Sequence, residues 1–412
     1  MAGVFEAVRV SEHVYWVGAI DWALRDFHGY STARGTSYNA YLVVADKIAL
    51  IDTVRAPFRD EMIARIRSVV QPERIDVIVS NHAEMDHSAC LPHMVELARP
   101  ERILASAKGV DALRQHLRLD GDIEAVKDGD RVSLGDVDLA FAMTPMLHWP
   151  ESMVTYLPTD RVLFSQDGFG MHLASGQRFA DEVDADVVWY ETTKYFANIL
   201  MPFSRQVAKL IERVRQLQPA VEVLATDHGP IWRKDLRAVI GRYTEWAEQK
   251  PTNKAVVVYD TMWGSTAKMA GAIAEGLIAG GARAKVMPLA GSSRSDVATE
   301  VLEAGALLVG SPTINNNIFP TVADVLTYLK GLKPQNIIGA AFGSYGWGGE
   351  AVKQIDELLG AMKVERVAEP VRYKYVPDED ALSACRSLGS AVAARLTQSC
   401  ETSSQVSHTG GQ

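Results

Sequence analysis

Short apolar runs broken by turns mark the early part of the chain. Val14 to Val17, Asn39 to Val44 and Ile48 to Ile51 are rich in β-branched and aromatic residues and too short for helices, so they predict strands, with Asp52 directly after the third. Met62 to Val70 has helical spacing, and Ile75 to Ser80 predicts another strand. His93 to Leu97 returns to helical spacing, Arg102 to Ser106 predicts a strand, and Val132 to Ala142 alternates like a strand carrying a Gly-Asp turn. Strands in succession with only occasional helices predict an αββα sandwich rather than a doubly wound sheet.

The pattern changes after Trp246. The polar stretch up to Ala255 contains Pro251, and beyond it strands and helices alternate: strand Ala255 to Tyr259, helix Ala267 to Ala279, strand Ala306 to Gly310, helix Val322 to Leu329, strand Ile337 to Phe342, helix Ala351 to Leu359. That is the grammar of an open, doubly wound parallel sheet with crossover helices. The expected organisation is a first domain over 1–250, a second over 251–397, and a disordered Ser/Thr/Gly/Gln-rich tail over 398–412.

Composition agrees with two domains, since 412 residues exceed one ordinary core. A net charge of -9 excludes a broad nucleic-acid surface, which needs clustered cations. No apolar run suits a membrane span and no signal peptide opens the chain, so a cytoplasmic protein without a membrane partner is expected. Its three cysteines, Cys90, Cys385 and Cys400, are widely spaced, which fits a reducing compartment and excludes a CxxC pair. Redox chemistry would therefore need bound cofactors.

One loop concentrates metal-binding groups. In Asn81-His82-Ala83-Glu84-Met85-Asp86-His87, four candidate ligands, His82, Glu84, Asp86 and His87, fall within six positions, a spacing suited to a tight loop closing on an ion. Three further candidates, His148, Asp167 and His228, follow apolar runs (Phe141 to Leu147, Val162 to Ser165, Val221 to Ala225), where strand ends can aim ligands at one edge. Carboxylates added to imidazoles harden such a site and favour iron over zinc. Tyr195, His28 and His172 are candidate hydrogen-bond or proton donors beside it.

A second constellation lies after Pro251. Strand Ala255 to Tyr259 runs into Thr261-Met262-Trp263-Gly264-Ser265-Thr266 and then into a helix, whose N-terminal amides and hydroxyls suit a phosphate without Lys or Arg. The Gly-Lys-Ser/Thr triplet of a nucleotide loop is absent. Two more loops follow strands ending at the same sheet edge: Ser311-Pro312-Thr313-Ile314-Asn315-Asn316, and Gly343-Ser344-Tyr345-Gly346-Trp347-Gly348. Hydroxyls, amides, glycines and aromatic faces together suit a flat isoalloxazine, with Tyr345 or Trp347 beside the ring. One phosphate loop and no adenosine segment favour FMN over FAD, and no Gly-x-Gly-x-x-Gly marks a nicotinamide site.

His82-x-Glu84-x-Asp86-His87 resembles the metal motif of the metallo-β-lactamase fold, whose hydrolases commonly carry His where Glu84 stands, and the first phosphate loop resembles that of flavodoxins. The two halves in this order are similar to the flavodiiron proteins over about Val8 to Leu396. That resemblance implies two irons per chain, one on His82, Glu84 and His148, the other on Asp86, His87 and His228, with Asp167 bridging. It also implies reduction of NO to nitrous oxide or of O2 to water with electrons from FMN, and a head-to-tail homodimer or a dimer of dimers. With no CxxC module after the flavodoxin part, rubredoxin or a similar small protein is the expected donor. The rival expectations are a zinc hydrolase with an appended flavodoxin domain, which would cleave esters without reductant, and a non-catalytic electron carrier, which would consume no gas.

Overall fold

In the computed structural model, which describes residues 4–119 and 121–409, the early strands bury both of their faces. The first sheet runs in spatial order through β1 (Val8–Arg9), β2 (Val14–Trp16), β3 (Tyr41–Val44), β4 (Ile48–Ile51), β5 (Ile75–Ser80), β6 (Arg102–Ser106) and β7 (Glu124–Val126). It is antiparallel up to β4 and parallel from β4 onward. A second sheet, β8 (Arg131–Ser133), β9 (Asp138–Met143), β10 (Met153–Leu157), β11 (Val162–Gln166) and β12 (Val223–Thr226), is antiparallel except where β11 pairs with β12.

Alternation sorts the side chains. Tyr41, Val43, Ala49, Ile51, Val77 and Val79 point at Leu139, Phe141, Met153, Leu157 and Phe164 of the second sheet and form the inter-sheet core. Their neighbours Leu42, Leu50 and Ile78 point the other way, onto α1 (Arg59–Arg67), α3 (Leu91–Ala98) and α4 (Ala107–Leu117). Between α1 and α3 lies the single-turn α2 (Met85–Ser88). Outside the second sheet, Ala140, Ala142, Val154 and Leu163 meet Leu210 and Val214 of α6 (Ser204–Gln216), which follows α5 (Ala185–Tyr195). Helix, sheet, sheet, helix is the expected sandwich. Nothing above assigns α5, α6 or α7 (Leu236–Glu248), although Val207, Leu210, Ile211 and Val214 carry a legible helical stripe.

The last part is a parallel sheet in the order β14-β13-β15-β16, where β13 is Lys254–Tyr259, β14 Arg283–Pro288, β15 Ala306–Gly310 and β16 Ile338–Tyr345, and both the short strand Glu365–Arg366 and β17 (Val371–Lys374) pair with the outer side of β16. Its crossovers are α8 (Ser265–Ala279), α9 (Arg294–Leu302), α10 (Pro320–Leu332) and α11 (Glu350–Ala361), and α12 (Glu379–Thr409) closes the chain. One sheet face packs on Met269, Ile273 and Leu277 of α8 and on Leu388, Val392 and Leu396 of α12. The two helices touch through glycines: a Cβ on Gly276 would lie 2.0 Å from Arg386 O, and one on Gly389 2.1 Å from Ile273 O.

The chain divides into two compact units. One holds the residues up to Tyr195 with Arg205–Thr244, the other Phe196–Ser204 with the residues from Glu245 on. Phe196–Ser204 belongs to the later unit through Asn198, which donates to Ser295 O at 3.2 Å and accepts from the Tyr328 hydroxyl at 2.8 Å. The division thus differs from a single cut at 250, because these tertiary contacts leave no periodic mark. Where a disordered tail over 398–412 was expected, α12 continues to Thr409, and residues 410–412 lie outside the described residues. Thr397 and Ser399 bond back to the carbonyls of Ala393 and Arg395, so the polar stretch is compatible with helix.

Candidate metal centre and cofactor pocket

The metal loop is held from its first residue. Beyond the end of β5, Asn81 donates its backbone and side-chain N–H groups to the two oxygens of Asp52, both at 2.7 Å, and accepts from Thr155. Glu151 accepts from His82 Nδ1 at 2.7 Å and from the Ala83 amide at 3.1 Å, which turns His82 Nε2 inward. Glu84 caps α2, whose single turn carries Asp86 and His87; Ser88 ties that turn back to the carbonyls of Ala83 and Glu84.

Asp167 directly follows β11, and His228 stands just past β12, its Nδ1 donating to Ser37 O at 2.7 Å. His148 departs from expectation. Strand β9 ends at Met143, and His148 sits in the turn leading to β10, where Met146 N–H to Trp149 O and Leu147 N–H to Thr144 O close the backbone.

These residues converge in two sets, His82 with Glu84, His148 and Asp167, and Asp86 with His87 and His228; within each set the ligand atoms lie within 4.8 Å of one another. Asp167 divides its oxygens between them. Its Oδ2 is 3.1 Å from His148 Nε2 and 3.4 Å from His82 Nε2, while Oδ1 is 3.4 Å from His87 Nε2 and 3.5 Å from His228 Nε2. Glu84 Oε2 completes the first set at 3.2 Å from His148 and 3.3 Å from His82, and Asp86 completes the second at 3.2 Å from His228 and 3.4 Å from His87. Donor atoms sharing one ion at bonds of about 2.1 Å stand about 3 Å apart, close to these separations.

Around the second set, hydrogen bonding leaves ligand atoms free. Both oxygens of Asp86, both ring nitrogens of His87 and Oδ1 of Asp167 are buried without a hydrogen-bond partner among the described residues. Orphaned buried groups of this kind are costly unless an ion meets them, so the donor set fits two metal ions. Electrostatics points the same way. Burial opposes ionisation of Asp167, yet His87, His148 and His228 hold its carboxyl well below the usual range. Burial likewise opposes protonation of His82, but Glu151, Glu84 and Asp167 push it up to about 10. Such a cluster gathers positive charge, as protons or as metal.

Tyr195 and His172 stand beside the second set, their rings 5.1 Å apart and 6.0 and 4.5 Å from that of His228. Burial and the charge of Asp167 raise the Tyr195 hydroxyl well above its ordinary value, so it stays a donor. Burial, then His228, keeps His172 far below the ordinary imidazole value; its Nδ1 meets the Thr36 hydroxyl at 2.9 Å. His28 is mostly exposed, with Nε2 3.8 Å from Glu84 Oε1. Glu151, Ser37 and Asp227, whose Oδ2 lies 3.5 Å from His87 Nδ1, were not foreseen. Only Asp227 had a signal, as a carboxylate beside His228 at a strand end.

In the later unit, a cavity of about 800 Å3 opens among the three loops and is lined by Met262, Trp263, Ser265, Pro312 to Asn316 and Ser344 to Gly348, with Tyr375 and Val376 added from beyond β17. Five expected residues support the loops rather than line the space. Thr261 accepts from the Gly264 amide, Thr266 bonds Ser344, Ser311 accepts from the Phe319 amide, Gly264 takes φ 83° as the residue capping α8, and a Cβ on Gly343 would strike Ser311 O. No side chain caps α8, so its first amides are available to an anion, and no cation is among the described lining residues. Trp263 and Trp347 are 95% and 87% exposed at the rim, large apolar faces of the kind a flat ring can stack on. The donor set and the size fit a flavin mononucleotide.

Residues 36–229 match the family described as ODP family beta lactamase, and residues 257–389 match Flavodoxin. The chain is 47% identical to a nitric oxide reductase of Moorella thermoacetica over 95% of its own length and 99% of that protein's. It resembles the solved rubredoxin oxygen:oxidoreductase of Desulfovibrio gigas at 41% identity and a TM-score of 0.93, covering 96% of this chain and 99% of that one. A flavodiiron protein from Giardia intestinalis superposes equally well, with a TM-score of 0.93 at 33% identity over 98% and 99% of the two chains. The chain belongs to the flavodiiron proteins. As a flavodiiron protein it is an oxidoreductase joining a metallo-β-lactamase-like domain to a flavodoxin domain, which sets aside the zinc-hydrolase reading. No helix among the described residues is long and apolar enough to cross a membrane.

Proposed function

We propose that this flavodiiron protein reduces nitric oxide to nitrous oxide, dioxygen to water, or both, at two irons supplied with electrons through FMN. His82, Glu84 and His148 would hold one iron and Asp86, His87 and His228 the other, with Asp167 shared. The observation that carries this reading is that Asp167 directs one oxygen to each set, 3.1 Å from His148 and 3.4 Å from His87. Bound there, two irons would supply neighbouring redox centres at which NO or O2 could be reduced.

The residues of the chain set the terms of that chemistry. Glu84 and Asp86 give each position its own carboxylate, which balances ferrous and ferric charge better than imidazole alone. Reduction consumes protons, and Tyr195, His172 and His28 are the candidate groups to hold or pass them. The free amides at the start of α8 would seat the FMN phosphate, and Tyr345 and Trp347 would flank the ring. Rubredoxin or a protein like it is the proposed donor, and a head-to-tail homodimer, or a dimer of such dimers, would set the FMN of one subunit against the irons of the next.

The test is direct. Protein loaded with iron and FMN and reduced by rubredoxin should consume NO, O2 or both, followed with gas electrodes. Consumption of neither gas would overturn the proposal, and the ratio of the two rates assigns the preferred substrate.

A further inference from the structure

One buried side chain with no part in the ligand set bonds the turn that presents His228 on both sides of the histidine. Asn39 is fully buried between β3 and the hairpin strand Thr36–Tyr38. Its Nδ2 donates to Thr226 O at 2.7 Å and to Gly229 O at 2.9 Å, its backbone N–H donates to Asp227 O at 2.8 Å, and its Oδ1 accepts from the Trp16 indole N–H at 2.8 Å. The amide orientation follows from chemistry alone: an indole N–H needs an acceptor, and two carbonyls need the NH2. Every polar atom of the side chain is thus engaged, and three of the four bonds end on the residues that flank or adjoin His228.

The surroundings support this arrangement. The Tyr41 hydroxyl adds a second donor to Thr226 O at 2.6 Å, and the Gly229 amide donates to Ser37 Oγ at 2.8 Å. Gly18 keeps the approach open, since a Cβ there would lie 2.8 Å from Asn39 Cα and 2.9 Å from Trp16 Nε1. The first ligand set has a support of its own, the buried Gln166 amide, which donates to Leu147 O beside His148 and accepts from the Asp167 amide. Glu151 orients His82, and Asp52 holds the loop start through Asn81.

We infer that Asn39, seconded by Tyr41, is a positioning residue for His228, and that it governs the affinity of the metal position formed with Asp86 and His87 while leaving the position formed with His82, Glu84 and His148 unaffected. This rests on the metal-centre reading above. A bond made to the backbone on both sides of a ligand fixes where its imidazole points, and loss of such outer support typically weakens metal binding by about 10- to 100-fold.

The test uses the full-length protein freed of metal and titrated anaerobically with ferrous iron against a coloured chelator. The parent should take up two equivalents, and His228→Ala identifies the step that belongs to His228. Asn39→Ala should weaken that same step by about 10- to 100-fold and leave the other unchanged. Trp16→Phe, which removes the indole donor but not the bonds to the turn, should lower the melting temperature while keeping both steps. Uptake of fewer than two equivalents by the parent would sink the metal-centre reading and this inference with it. With the parent intact, unchanged binding in Asn39→Ala, or equal weakening of both steps, overturns the inference alone. Should Asn39→Ala fail to fold by circular dichroism, Tyr41→Phe is expected to weaken the same step by a smaller factor, and no change there overturns it.

Discussion

Asp167 sets one carboxylate oxygen near each candidate ligand set, and no other described residue does. Removing its side chain leaves His82, Glu84 and His148 on one side and Asp86, His87 and His228 on the other, with nothing between them to balance the second charge. Asp167→Ala is therefore expected to lower iron affinity at both positions by about 100-fold or more and to abolish gas consumption. His148→Ala should act on its own position first. The FMN absorption should survive both changes, because the cavity among Trp263, Asn315 and Trp347 lies in the other unit. Metal analysis beside a visible spectrum checks this, and two irons retained in Asp167→Ala would refute the shared role. All seven candidate ligands were legible because ligand chemistry limits them to His, Asp and Glu and because most follow apolar runs. Their supports were not. Glu151 and Ser37 meet the ligands, and Asn39 the turn around His228, across strands distant in sequence, and a carbonyl oxygen or an amide has no signature of its own.

At the scale of elements, strands buried on both faces were the easiest to recognise, since Ile48–Ile51 and Ala306–Gly310 are apolar throughout and short. Helices α5 and α12 were harder. Part of α5 buries Glu191 and Lys194, which blurs the apolar stripe, and α12 relies on the glycine contact with α8, which no pattern announces. The join between β10 and β11 shows what a single turn residue can do. Asp160, whose side chain is 1% exposed, accepts from Ser11 Oγ at 2.5 Å, the His13 amide at 2.8 Å and His13 Nδ1 at 2.6 Å, and so fastens the segment between β1 and β2. Burial opposes its ionisation, yet these donors hold its carboxyl below the ordinary value. A depressed folded-state value means a stabilising contribution that is complete above the unfolded value near pH 4 and fades as the pH falls through the lower, folded one. Asp160→Asn should thus cost about 1–3 kcal/mol at pH 7. The deficit in melting temperature should stay level down to about pH 5 and shrink below about pH 4. A deficit that is the same at every pH would show that the charge plays no part.

The whole molecule keeps its two chemistries in separate units. The ligand sets lie wholly among residues up to Tyr195 and within Arg205–Thr244, and the cavity-lining residues lie wholly beyond Glu245. Each unit also has its own core: Tyr41, Val79 and Phe164 contribute to one, and Val257, Leu308 and Val392 to another. A ligand that binds only the folded form stabilises by RT ln(1 + [L]/Kd), about 2.7 kcal/mol at one hundred times its Kd. Iron should add its increment where both oxygens of Asp86 and Oδ1 of Asp167 would otherwise stay buried without a hydrogen-bond partner among the described residues, and FMN should add its increment where the start of α8 is uncapped. Calorimetry is therefore expected to show two transitions. Chelating the metal should lower one and stripping FMN the other, each by roughly 5 to 10 °C for a unit of this size. The shift on chelation should be the larger, because it exposes repulsion among carboxylates as well as forfeiting ligand bonds. If both treatments move a single transition by the same amount, the units unfold together, and the separation of metal and flavin sites does not extend to their stability.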